Sequence, residues 1–150
     1  MNVRFLLGLG AIFAIAACDA PTIADDASAH ERHELMEGVG DAAKPIGKMF
    51  KGEVDYDAAT VMTSLQTFHD ASRVFGDLFP AGSGPSETSE AAPAIWEDRE
   101  GFDEALAMWR DAVDAAIAAA PQTLDEAQPT VGPIFKTCKN CHDGYRIEKE

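Results

Sequence analysis

The sequence has few basic residues, few cysteines and no long apolar segment beyond its first residues, and these shortages exclude several classes of protein. After residue 17 no run of about 18 apolar residues occurs, which excludes a membrane-spanning helix there. Lys and Arg number 12 against 26 Asp and Glu, so the formal net charge is −14. Because no basic cluster is present, nucleic-acid binding is excluded, and the acidic surface favours solubility or cationic partners.

The sequence also lacks strand-like alternation, internal repeats and any recognisable set of general acid and base residues. Its 150 residues suffice for one domain with a single core. The abundant Asp and Glu are spaced as the solvated faces of helices. These features do not favour a hydrolase or a transferase.

The N-terminus has the features of an export signal. A basic residue, Arg4, precedes the apolar residues 5–17, which have the length of a signal-peptide core. The sequence then reads Ile-Ala-Ala-Cys and resembles a lipobox, in which Cys18 would become a lipidated N-terminus. The alternative is ordinary cleavage after Ala24. Either form is exported to the periplasm, and the acidic residue after Cys18 resembles the signal that retains lipoproteins on the inner membrane.

The rest of the chain predicts four amphipathic helices. After a short tether at 18–27, the first helix is expected to start at Ser28, the second at Asp55 and the fourth at Thr123, each a residue that caps helices well. The second is expected to end at Pro80, and Pro129 and Pro133 are expected to divide the start of the fourth into two pieces. A flexible loop is expected at 81–94, where Gly, Ser and Pro are frequent. Four such helices predict an all-α, antiparallel up-down four-helix bundle over residues 28–150.

The fourth helix carries the one motif with a specific chemistry. Cys138, Cys141 and His142 form the C-x-x-C-H pattern of covalent haem attachment. On a helix the two thiols share one face and can each add across a haem vinyl group, while His142 ligates the iron. A zinc site would need further paired ligands, a thioredoxin motif would need a strand, and a disulfide would not require the histidine. We therefore predict one haem c per chain, near one end of the bundle.

The extended motif resembles the cytochrome c prime family. Residues 138–146 read CKNCHDGYR and match the family pattern C-x-x-C-H-x-x-[YF]-R, close to the C-terminus as in that family. The resemblance implies that Arg32 and Arg146 contact the haem propionates or edge; the alternative for Arg32 is a solvated charge on the first helix. It also implies that Met36, four residues after Arg32, faces the distal side of the iron.

The distal ligand separates two functions within this family. If Met36 binds the iron, as in the low-spin c-556 branch, the protein is a one-electron carrier rather than an enzyme. If it does not, the five-coordinate iron binds small gases such as NO or CO. His33 is a third option for the sixth ligand. The resemblance implies a redox partner in a respiratory or related electron-transfer chain and a homodimer formed through the first two helices.

Overall fold

The computed structural model describes residues 23–80, 83–84 and 89–147. Within them lie four long helices, one short helix and a 3₁₀ turn at Phe75–Leu78. The helices are α1 (Ile23–Phe50), α2 (Ala58–Val74), the short α3 (Ala94–Glu97), α4 (Arg99–Ala119) and α5 (Leu124–Tyr145). In this part of the chain, extended pairing is limited to an isolated antiparallel bridge between Ala91 and Arg146. None of the described helices is long and apolar enough to cross a membrane.

The four long helices form the predicted bundle. Helix α1 packs on α2, α2 on α4 and α4 on α5, whereas α1 and α5 make far fewer contacts with each other. At one end, the Tyr56 hydroxyl donates to the Pro121 carbonyl at 2.8 Å and joins two interhelical connections. At the other end, Phe79 stacks edge-on against Phe102. The motif and Met36 therefore lie on two long helices, α5 and α1, that make few contacts with each other.

A single apolar core runs through the bundle. Its fully buried members recur at helical spacing, so each long helix contributes one stripe. The most completely buried large side chains are Phe68, Phe102, Ile46, Leu65, Ile134, Val61, Val113 and Val131. Burial of a side chain of this size stabilises the fold by about 1.5–3 kcal/mol.

The structure corrects two predicted helix starts and confirms a third. Helix α1 begins at Ile23, so Ser28 lies inside it rather than capping it, and part of the expected tether is helical. Helix α2 is capped by Asp57, not Asp55: the Asp57 carboxylate accepts a hydrogen bond from the Thr60 amide at 2.6 Å. Thr123 caps α5 as predicted, through a bond from the Glu126 amide.

The other boundaries differ slightly from the sequence prediction. Helix α2 ends at Val74, before the expected stop at Pro80, because the chain tightens into the 3₁₀ turn. The predicted loop at 81–94 contains the Ala91 bridge and the first residue of α3.

Two prolines do not divide α5 into two pieces, contrary to expectation. Pro129 and Pro133 lie inside one continuous helix and are both exposed. They are four residues apart and therefore share the solvent-facing side, where carbonyls that lose an amide partner are hydrated. The helix consequently reaches the C-x-x-C-H motif without interruption.

Candidate haem-binding site

The motif lies in the last two turns of α5. Cys138 and Cys141 are half-buried free thiols, and Cys138 packs against the core. His142 follows them and is exposed. Because residues three apart share one face of a helix, the two thiols point to the same side of α5. The donor set and its spacing fit a haem held by two thioether bonds and one imidazole.

The surroundings of the motif control its protonation. Burial raises the pKa of the Cys138 thiol, and it raises the pKa of Cys141 to about 11. Both thiols are therefore protonated at neutral pH in this structure. The pKa of His142 is lowered, first by partial desolvation of its imidazole and then by the positive charge of Arg146, while Asp143 and Glu90 act in the opposite direction. A lowered pKa favours the neutral imidazole, which is the form that ligates iron.

The residues predicted on α1 differ in exposure. Met36 is half-buried and packs against the core, whereas His33 is exposed. Arg32 is buried, at 4% exposure, which excludes the alternative of a solvated surface charge. Its Nη1 donates to the Leu78 carbonyl at 3.0 Å, and its guanidinium lies 4.7 Å from the centre of the Phe79 ring. These contacts compensate for the burial of the charge.

An aromatic chain joins the start of α1 to the end of α5. The guanidinium of Arg32 contacts Phe79, whose ring centre lies 5.0 Å from that of Phe102. Phe102 in turn lies 5.3 Å from Tyr145. The Tyr145 hydroxyl donates to the Asp98 carboxylate at 2.9 Å. Arg32 and Tyr145 therefore lie at the same end of the bundle.

Two further residues near the motif were not predicted from the sequence. Glu90 accepts a 2.7 Å hydrogen bond from Arg146 Nε, and Asp98 both caps α4 and binds Tyr145. Asp98 carries a local signal, since an Asp before an apolar helical stripe is a good N-cap. The sequence around Glu90 contains no comparable signal, because its partner Arg146 lies 56 residues away in the sequence. Cys18 lies outside the described residues.

Comparison with known proteins identifies the family. The family described as Cytochrome C' matches residues 27–146, and the chain belongs to it. The chain is 38% identical to cytochrome c' of Rhodopseudomonas palustris, over 99% of this chain and 95% of the relative. It is 31% identical to cytochrome c-556 of Agrobacterium fabrum, over 79% and 80% of the two chains.

A solved structure agrees with both the family and the fold. Cytochrome c' from Rhodopseudomonas palustris superimposes with a TM-score of 0.77 at 34% identity, covering 82% of this chain and 98% of that one. The chain is therefore a haem c protein of the cytochrome c' and c-556 family and an electron carrier of that family.

Proposed function

We propose that the protein is a one-electron carrier and not an enzyme, with the haem iron ligated by His142 on α5 and Met36 on α1. When bound, the haem supplies the one-electron chemistry, and the protein supplies the axial ligands and the shielding. A thioether ligand favours reduced iron and raises the potential, which suits electron transfer. A filled sixth position also keeps external ligands away from the metal.

The observation that carries this proposal is the aromatic chain at one end of the bundle. Met36 lies one turn beyond Arg32 on α1, and Tyr145 lies three residues beyond His142 on α5. Since α-helices rise about 1.5 Å per residue, each proposed ligand is about 4.5–6 Å along its helix from a residue in that chain. This supports a similar position along the bundle axis for the Met36 thioether and the His142 imidazole.

The spectrum of the haem tests the proposal directly. The wild type is expected to be low-spin in both oxidation states and to bind CO slowly or not at all. A Met36→Ala variant should become high-spin, bind CO readily and fall in potential. Met62→Ala is a matched control, because Met62 is also half-buried against the core but lies on α2. A wild type that is already high-spin and binds CO at once would refute ligation by Met36.

The second candidate function is that of a five-coordinate, gas-binding cytochrome c'. It is favoured by the higher identity to a cytochrome c', 38%, than to a cytochrome c-556, 31%. In that case Met36 is a packing residue and its replacement leaves the spin state unchanged. The spectra described above separate the two functions, and His33→Ala tests the third ligand option in the same assay.

We also propose that Arg32 and Arg146 contact the haem carboxylates or edge. Arg32 is held by Leu78 and Phe79 at the same end of the bundle as Tyr145, and Arg146 follows His142 by one turn. Guanidinium groups bind carboxylates through paired, charge-assisted hydrogen bonds. Replacing either by Gln should lower the reduction potential, and an unchanged potential would reject the contact.

We propose export to the periplasm, with anchoring on the inner membrane through a lipidated Cys18. The support is the sequence pattern at residues 1–18. Two or three acyl chains provide stable anchoring, at about 0.8 kcal/mol for each buried CH₂ group. Mass spectrometry of the protein from its native host should show an acylated N-terminal Cys18, and an unmodified N-terminus at Asp25 would reject this.

The proposed partners are a redox protein of an electron-transfer chain and a second copy of this chain. The second copy would pair through α1 and α2, as the resemblance implies. Light scattering at several protein concentrations tests the homodimer, and a monomer throughout would reject it.

A further inference from the structure

A short segment folds back onto the end of the haem-binding helix. Residues 89–92, here called the strap, pair antiparallel with residues 145–147. The Ile147 amide donates to the Glu90 carbonyl at 2.7 Å, and the Ala92 amide donates to the Tyr145 carbonyl at 3.0 Å. These backbone bonds fix where the strap side chains lie relative to the last turn of α5.

The carboxylate of Glu90, on the strap, forms an ion pair with Arg146. The Nε of Arg146 donates to Glu90 Oε2 at 2.7 Å, and the two side chains are 46% and 42% exposed. Ion pairs this exposed contribute about 0–1 kcal/mol to stability. The ion pair between Glu90 and Arg146 therefore contributes little to the stability of the fold. The bond uses one of the five N–H donors of the guanidinium.

Arg146 lies four residues, about one turn, after His142, the proposed axial ligand. Its amide donates to the His142 carbonyl at 3.2 Å, which closes the last turn of the helix. Arg146 itself is the extended C-cap of α5, with φ −120° and ψ 139°, so its position relative to His142 is fixed by this bond and by the pairing with the strap. The backbone anchors both partners of the Glu90–Arg146 pair within one turn of the proposed iron ligand.

We propose that Glu90 is a positioning residue that holds Arg146 and neutralises its charge beside the haem, thereby setting the reduction potential. This inference goes beyond the proposed function, and it rests on the haem and on electron transfer. Reduction adds one negative charge at the iron, so an uncompensated positive charge nearby favours the reduced form. Loss of the Glu90 carboxylate therefore raises the potential, and loss of the Arg146 guanidinium lowers it.

Redox titration of the haem-loaded protein tests this proposal. Glu90→Gln should raise the ratio of reduced to oxidised protein at a fixed ambient potential by roughly three- to tenfold, tenfold being about 59 mV for one electron. The thermal midpoint should change little, as expected for an exposed pair. Glu53→Gln is the matched control, because it removes an exposed carboxylate from the turn after α1 and should leave the potential unchanged.

A double-substitution cycle shows whether Glu90 acts through Arg146. In an Arg146→Gln background, Glu90→Gln should produce less than half of the shift that it produces in the wild type. An equal shift in both backgrounds, or no shift in the wild type, would overturn the proposal. The result does not depend on Met36: a high-spin wild type would reject ligation by Met36 but leave this comparison of potentials valid.

Discussion

Gly101 occupies a position where any larger residue would disturb the end of the haem-binding helix. A Cβ at this position would lie 2.6 Å from the Tyr145 hydroxyl oxygen and would collide with the Asp98 carboxylate. Those two groups are hydrogen-bonded to each other. The absence of a side chain at residue 101 therefore allows the contact between the start of α4 and the end of α5.

We expect Gly101→Ala to lower the free energy of unfolding by about 1–3 kcal/mol, the range for overpacking a close contact. Urea unfolding measures this change. Gly40→Ala is the control, because a Cβ there meets nothing within 4 Å and an added methyl group inside α1 should stabilise the helix by about 0.5–1 kcal/mol.

Repeating the Gly101→Ala substitution in a Tyr145→Phe variant tests whether the Tyr145 hydroxyl causes the destabilisation. In Tyr145→Phe the hydroxyl is gone, so the same substitution should cost less than in the wild type. An equal cost in both backgrounds would show that the overlap with Tyr145 is not responsible.

Individual residues of the site differ in how far they could be predicted from sequence. The C-x-x-C-H motif could be recognised from the sequence because it lies within five consecutive residues, and the structure places both thiols on one helical face. The burial of Arg32 and its contact with Phe79 were not predicted, since Phe79 is 47 residues away in the sequence. The role of Glu90 likewise depends on the strap, which only tertiary folding creates.

At the scale of helices, the Asp57 cap makes α2 sensitive to acid. The pKa of Asp57 is lowered, first by the hydrogen bond from the Thr60 amide. A carboxyl group with a lowered folded-state pKa stabilises the protein fully above its ordinary pKa, near 3.8. That contribution is lost as the pH falls through the lowered folded-state value.

We expect Asp57→Asn to differ from the wild type in a pH-dependent way. Asn caps helices about as well as Asp but does not titrate. The wild type should therefore gain thermal stability relative to the variant as the pH rises from about 2 to 4, and the difference should then stay constant. Thermal midpoints measured across this range test the prediction.

Asp55→Asn is the matched control for the cap prediction. Asp55 is an exposed carboxylate two residues earlier in the same connection, and it was the residue expected to cap α2 from the sequence. Its replacement should give no such pH-dependent difference. A difference between wild type and Asp57→Asn that does not vary with pH would contradict the assignment of the cap.

The presence of each long helix could be predicted from the sequence, whereas the position of its first residue depends on which of several capping residues is used. The apolar stripes predicted the four long helices. The prediction that Thr123 caps α5 was correct because a proline two residues earlier prevents α4 from extending to it. Asp55 and Asp57 are both good caps, and the sequence does not show which amide each one meets. The prediction that Ser28 caps α1 was wrong, because α1 continues for five further residues towards the N-terminus, to Ile23.

At the scale of the whole molecule, the uneven packing of the bundle fits its cofactor. Helices α1 and α2 form one pair, α4 and α5 form another, and α2 joins them to each other. Contact between α1 and α5 includes the edge-on pair of Phe50 and Phe135, with ring centres 6.1 Å apart. Hydrophobic periodicity predicted the bundle, but it does not show that α1 and α5 make few contacts with each other. That property depends on side-chain sizes along both faces.

The last prediction follows from this arrangement and concerns covalent attachment. If the haem contributes apolar contacts that α1 and α5 do not make with each other, its loss should destabilise the whole bundle by several kcal/mol. Acid–organic extraction should leave the haem on the wild type, leave part of it on Cys138→Ala or Cys141→Ala, and remove it completely from the double variant. The double variant should also unfold at a markedly lower temperature. Met108→Ala is a control, since Met108 is 53% exposed and its loss should affect neither measurement. Free extraction of haem from the wild type would contradict attachment through these two cysteines.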